Sequence, residues 1–268
     1  MNSIHAPSGQ PFREQAGGAS REGPHPLRIG IIAGSGPEAG IDLWSKILVA
    51  NRAALGNCFR GDIDSPPVVI FSEPVLGLSM DLAKNTDAVW EALRAAVLDI
   101  VAHVDVFTIA CNTLHYYSPR IRELAGDTVF LDVSDVARAY MRRNPASSVG
   151  LMGATPVAAL DEWSPYFGLH REVGFETPAD LGRLHGLIHD IKLAGGDNED
   201  IRSRFSAIVA GMRAPTVFLA CTELPLVNTS VEGKTLVDIN RLLAEELVRH
   251  SLGTAEERNG RIAARAEN

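Results

Sequence analysis

Aromatic side chains are scarce in this 268-residue chain, at 6% of residues, and cysteine is scarcer still, with only Cys58, Cys111 and Cys221. Three cysteines without a C-x-x-C pair or Cys/His ligand spacing support neither a disulfide framework nor a zinc cage, and no metal is expected. In a reducing compartment all three are free thiols. No apolar run approaches the ~20 residues that a membrane span needs. The first 26 residues also lack the apolar core of a secretory signal. The expectation is therefore a cytoplasmic protein with no membrane partner. Positive charge is in short supply too: 25 Lys and Arg against 33 Asp and Glu give a formal net charge of −8. The basic residues form no cluster interleaved with aromatics, which excludes a phosphate-tracking surface and leaves no nucleic-acid partner to expect.

What the chain does have is aliphatic residues, 46% hydrophobic against 22% charged, the balance of a soluble globular α/β enzyme. Its length suits two lobes. Residues 1–26 are rich in Pro and Gly without apolar periodicity and read as a disordered N-terminal arm. Residues 27–33 form an apolar run that fits a fully buried parallel strand. Gly34-Ser35-Gly36-Pro37 is then a turn, with Pro37 opening a helix that runs to about Asn51. Further buried strands are predicted at 68–71, 104–110, 129–131, 148–152 and 216–220. Helices are predicted at 84–102, 115–125, 134–143, 155–163, 178–193, 198–212 and 236–251. This alternation predicts parallel sheets with right-handed crossovers. The expected division is a first α/β lobe at 27–128 plus 236–252, a second at 129–235, and a flexible tail at 253–268.

One internal echo carries the functional reading. Val106-Phe107-Thr108-Ile109-Ala110-Cys111 and Val217-Phe218-Leu219-Ala220-Cys221 are both apolar strands ending in Ala-Cys, each followed by small polar residues, Asn112-Thr113 and Thr222-Glu223. In parallel sheets ligands bind beyond the carboxyl ends of strands, where helix N-termini favour negative charge and lower a thiol pKa. Two thiols on facing lobes provide an acid and a base for proton transfer on opposite sides of one carbon. A single strand-end cysteine would read as a small core residue, and the matched pair reverses that preference. Cys58, in a loop, has no such setting.

These segments, Ala110-Cys111-Asn112-Thr113, Ala220-Cys221-Thr222-Glu223-Leu224 and Gly34-Ser35-Gly36-Pro37-Glu38-Ala39, together resemble the three signature segments of the aspartate/glutamate racemase family. The similarity spans roughly residues 28–252. It implies two Rossmann-like lobes related by pseudo-symmetry, an active site in the cleft between them, no pyridoxal phosphate or other cofactor, and commonly a homodimer. It also implies a small-molecule substrate, an amino acid or related carboxylate, with Cys111 and Cys221 as the acid/base pair. Ser35, Gly36, Asn112, Thr113 and Thr222 would hold the substrate.

The resemblance has departures. Aspartate-specific members usually carry an arginine in an Asn-Pro-x-Ile-Pro-Asp-Arg segment after the second strand, and Ser79 stands in its place here. Serine cannot replace the charge of a bidentate guanidinium, so a dicarboxylate substrate is disfavoured. Gly40 replaces the family's usual threonine, which points to a first binding loop of different shape. The segment around Lys192 resembles the family's Ile-Lys-Ala-Gly. It leaves two readings level: a ligand for a distal carboxylate, or a solvated lysine near a helix C-terminus. Gly34-x-Gly36-x-x-Ala39 mimics a dinucleotide fingerprint but lacks its acidic partner, so NAD is rejected. His103, His115, His185 and His189 read as structural, with His115 the foremost candidate helper. Glu223 reads as a favourable charge at a helix start or as a residue that orients its neighbour. Rival readings are a racemase or isomerase of a non-acidic amino acid, hydantoin or maleate-like compound, and a non-catalytic binding module.

Overall fold

The apolar run that opens the folded chain becomes β1 (Ile29–Ala33), buried along its whole length, and the Pro37 turn opens α1 (Pro37–Leu55). Then come β2 (Val68–Ser72), α2 (Leu82–Val101), β3 (Val106–Ile109), α3 (Ser118–Ala125), β4 (Val129–Phe130) and α4 (Val133–Arg143). The second half supplies β5 (Val149–Met152), α5 (Thr155–Ala158), α6 (Phe167–Val173), α7 (Leu181–Ala194), α8 (Glu199–Ala210), β6 (Thr216–Leu219), β7 (Thr235–Asp238) and α9 (Ile239–Leu252). This computed structural model describes residues 26–253, so the expected arm and tail lie, apart from Pro26 and Gly253, outside the described residues. Among the described residues no helix is long and apolar enough to cross a membrane.

All strands pair in parallel, in two sheets of order β2-β1-β3-β4 and β5-β6-β7. Parallel strands covered on both faces are apolar almost throughout, and β1, β3 and β5 are buried residue by residue, the polar Thr108 of β3 donating its hydroxyl to Leu131 O at 2.8 Å. One apolar cluster joins the two lobes: Ile31 and Leu43 of the first meet Leu151 and Phe218 of the second through Leu243 and Leu247 of α9. Each such side chain, fully buried, contributes about 1.5–3 kcal/mol relative to exposure. Two further clusters cover the outer faces, one under α2 and one under α7 and α8. The chain is tied back to its beginning where Leu27 N donates to Ser251 O at 3.0 Å and Ser251 Oγ donates to Leu27 O at 2.6 Å.

The division into lobes differs from the sequence reading at both joins. β4 pairs with β3, so residues 129–130, assigned to the second lobe, belong to the first sheet. Residues 235–238 form β7, which pairs with β6 in the second sheet, where the sequence reading has a loop running into a helix. Leu236, Ile239, Leu242 and Leu243 have helical spacing, but a long-range pairing claims the first of them. The helix begins only after Asp238, whose carboxylate accepts from Asn240 N at 2.8 Å. The helix predicted over 155–163 stops at Ala158, because Leu160 takes a left-handed φ of 56°.

Candidate active site

The echo in sequence is matched in hydrogen bonding. Ala110 N donates to Ile32 O at 2.8 Å, and Ala220 N donates to Met152 O at 2.7 Å. Each alanine thus extends its interior strand by one bond to the neighbouring strand. The next residue, Cys111 or Cys221, leaves the sheet at its carboxyl edge. Beyond each cysteine the chain departs from expectation and enters a short 3-10 turn, Thr113–Tyr117 or Leu224–Leu226, instead of an α-helix.

Cys111 and Cys221 line one cavity of about 10 Å³, together with Ser35, Asn112, Thr113, Thr222 and Lys192. Gly36 sits at its edge with a φ of 98°. A Cβ there would come within 2.5 Å of Glu223 Oε1 and 3.1 Å of Lys192 Nζ, so glycine is required both by the turn and by its neighbours. All the site residues read from the sequence are thus brought together. Gly40 is not among them: it faces β1, where an added Cβ would meet Ala33 Cβ at 2.6 Å, so its smallness serves helix–strand packing.

The two thiols have unlike surroundings. Cys111 Sγ lies 3.4 Å from Ser35 Oγ and 3.7 Å from Ser79 Oγ, and the two hydroxyls are 2.9 Å apart. Cys221 Sγ instead donates to Glu223 Oε2 at 2.9 Å. Burial pushes the Cys221 thiol well above its ordinary range, and the Glu223 carboxylate adds to this while the Lys192 ammonium opposes it. Glu223 also accepts from Thr222 Oγ1 at 3.0 Å and forms an ion pair with Lys192. Lys192 Nζ donates in turn to Ser35 O at 3.3 Å. Burial alone would lower the Lys192 pKa, but the carboxylate beside it reverses the sign and raises it. Lys192 is therefore partly buried and engaged, and it bridges the lobes. The network runs Cys111, Ser35, Lys192, Glu223, Cys221.

His115 is buried at 2% exposure and faces away from the cavity. Its Nε2–H donates to Ile109 O at 3.2 Å while Nδ1 accepts from Val133 N at 3.4 Å, which fixes a neutral tautomer joining β3 to α4. Burial holds its pKa below the ordinary value. The helper role is thus replaced by a structural one. Cys58 is exposed, His189 lies near Asp190 at the surface, and His185 bonds Thr155. Three contributors escaped the sequence reading: Met80 and Ala154 in the cavity wall, and Tyr166, whose hydroxyl donates to Asn112 Oδ1 at 2.6 Å. The loop residues carry no periodic signal, and Tyr166 reaches the site from across the cleft.

Two parallel-sheet lobes thus meet at a cavity lined by one strand-end thiol from each, the layout of a two-lobed α/β enzyme. The sequence profile of the Asp/Glu/Hydantoin racemase family matches residues 32–247, and the chain belongs to that family of isomerases. No curated protein sequence matches it. Among solved structures, the aspartate racemase of Picrophilus torridus superposes with a TM-score of 0.70 at 22% identity, covering 88% of this chain and 99% of that one. An aspartate racemase homologue from Pyrococcus horikoshii OT3 gives 0.67 at 18%, covering 85% and 100%. The glutamate racemase of Francisella tularensis subsp. tularensis SCHU S4, in complex with D-glutamate, gives 0.57 at 16%, covering 85% and 81%. At these identities the likeness establishes the fold.

Proposed function

We propose that this racemase-family enzyme inverts a carbon next to a carbonyl or carboxyl group by two-sided proton transfer between Cys111 and Cys221. The observation that carries this is their position at the ends of interior strands of two different sheets, lining one cavity. The unlike surroundings assign resting roles. Cys221, buried beside a carboxylate, rests as the thiol and donates the proton. Cys111 faces two hydroxyls that can turn their protons toward a thiolate, and it takes the proton from the substrate. As the substrate C–H bond breaks, negative charge moves onto the adjoining oxygen. The Lys192 ammonium, the Asn112 side-chain amide and the Thr113 hydroxyl line the cavity and can stabilise it. The second thiol protonates the opposite face, and the reverse reaction exchanges the roles.

A second reading, a non-acidic substrate, is favoured by Ser79. It is 1% exposed and bonded to Ser35, so it leaves no cation where a distal carboxylate would need one. The test is incubation of single enantiomers in heavy water, following α-deuterium incorporation and loss of optical rotation. Cys111→Ser and Cys221→Ser are each expected to lower exchange by about 10²-fold or more. Undiminished exchange in either variant overturns the two-thiol mechanism.

A further inference from the structure

The thiol cavity, at about 10 Å³, has room for about one water molecule and for no substrate side chain. A second cavity of about 300 Å³ lies directly beyond it. The two are neighbours along both walls: Ser79 and Met80 line the first and Met80 and Asp81 the second, while Ala154 lines the first and Thr155 and Pro156 the second. Met80 is the residue common to both linings.

The outer chamber is built by exchange across the cleft. Met80, from the first lobe, packs on the apolar cluster of the second. Trp163, from the second, packs on the cluster of the first and lies 5.0 Å from the Tyr116 ring. Leu82, Pro156 and Ala159 complete an apolar surface. No Lys or Arg is in the wall. Its carboxylates are already engaged, Asp81 with Lys84 at 3.1 Å and Asp161 Oδ1 with Trp163 N at 3.0 Å. His185 is spent on Thr155. Among the described residues that line the thiol cavity the cation is Lys192, and it is bound by Glu223 and Ser35.

We propose that this chamber receives the substrate's side chain, that Met80 is the movable door between it and the thiols, and that the substrate carries a neutral, apolar side chain. A third carboxylate placed between Asp81 and Asp161 would meet two like charges and no Lys or Arg of the wall. An aliphatic or aromatic group gains the surfaces of Leu82, Pro156 and Trp163. The unbranched, flexible Met80 can swing aside at little cost, merging the two spaces. A cavity of about 300 Å³ is at the lower end of the range for small-ligand sites, enough for one such group. The shared chemistry is a carbon acid with an apolar substituent, either a free α-amino acid or its cyclic hydantoin.

This inference rests on the two-thiol reading for turnover but not for binding, and the experiment separates them. Equilibrium binding of L-leucine, 5-isobutylhydantoin, L-lysine, L-aspartate and L-alanine is measured by calorimetry on Cys111→Ser, and deuterium exchange of the same compounds on the wild-type enzyme. The expected result is that one of the isobutyl compounds binds at least about tenfold more tightly than aspartate or lysine, and which one identifies the source. Ala159→Trp, and independently Ala83→Trp, should fill the chamber and weaken the isobutyl compound by about tenfold while leaving alanine unchanged. Met80→Ala should raise kcat/KM most for the bulkiest compound. Tightest binding of aspartate or lysine, or equal losses for leucine and alanine in the filled variants, overturns the chamber. If the binding preference holds while the Cys→Ser variants exchange normally, the chamber stands and the two-thiol mechanism falls.

Discussion

At the scale of single residues, the site turns on an asymmetry between two cysteines that look alike in sequence. The Ala-Cys echo was legible because strand ends of the same composition recur. The hydroxyl partners of Cys111 were not legible, since Ser35 and Ser79 reach its sulfur through tertiary approach, whereas Glu223, two residues from Cys221, was already readable as a residue that orients its neighbour. Glu223 is the most consequential of the three. Its carboxylate accepts the Cys221 proton and holds the Lys192 ammonium. Glu223→Gln removes a negative charge that, after burial, raises the Cys221 pKa, so the thiol should ionise at lower pH in the variant. Lys192, deprived of the carboxylate that raises its pKa, should also titrate lower. Ultraviolet titration of the thiolate, with Cys221→Ser to assign the signal, measures the first shift. The limb of the pH–rate profile that reports Cys221 should move to lower pH with it. A limb that stays in place would show that Glu223 does not govern the proton on Cys221.

At the scale of elements, the stretches whose apolar runs and periodicity predict β1, β2, β5, α4 and α8 lie where the structure has them within a residue or two. Those signals survive because each element buries a face that its own composition announces. Failures fall where pairing or a turn overrides periodicity, as at β7 and at Leu160, and where short 3-10 turns replace expected helix starts after the cysteines. His115 shows the same limit. It stands two residues after the Asn112-Thr113 pair, yet its ring closes the gap between β3 and α4 from behind the site. Its folded pKa is depressed by burial, so protonation favours the unfolded chain. The stability it contributes is fully present above the unfolded value of about 6.5 and is lost as pH falls below it. Denaturant melts of wild type and His115→Gln should therefore differ most near pH 8 and converge as the pH is lowered to about 5.5. A gap that is constant with pH would mean that the ring is not held neutral.

At the scale of the whole molecule, two lobes share one apolar cluster through α1, α4 and α9, so the cleft between them is held at fixed width on one side. On the other side the lobes meet at the site itself, through the apolar packing of Met80 and Trp163 and through polar contacts. The Lys192 bridge and the bond from Tyr166 to Asn112 are two such polar contacts. Two lobes were readable from the chain length and the Ala-Cys echo, and parallel sheets from the alternation of strands and helices. The cross-cleft partners were not, because residues 54 apart in the chain, such as Asn112 and Tyr166, announce no mutual contact. Tyr166 is fully buried, and burial, with Asp132 adding to it, pushes its hydroxyl well above the ordinary range, so it remains a donor. Tyr166→Phe keeps the ring packing against Phe175 and strands the buried Asn112 Oδ1 without that partner. An unsatisfied buried acceptor costs about 1–3 kcal/mol, which should lower the midpoint of thermal unfolding by several degrees. Asn112 is bonded directly to Cys111 in the chain, so the loosened amide should also misplace the thiol. The loss is then expected in kcat more than in KM, since Tyr166 touches no substrate. If the melt shifts while kcat and its pH dependence stay at wild-type values, Tyr166 joins the lobes without positioning the chemistry. If neither moves, the contact is idle and the cleft is held without it.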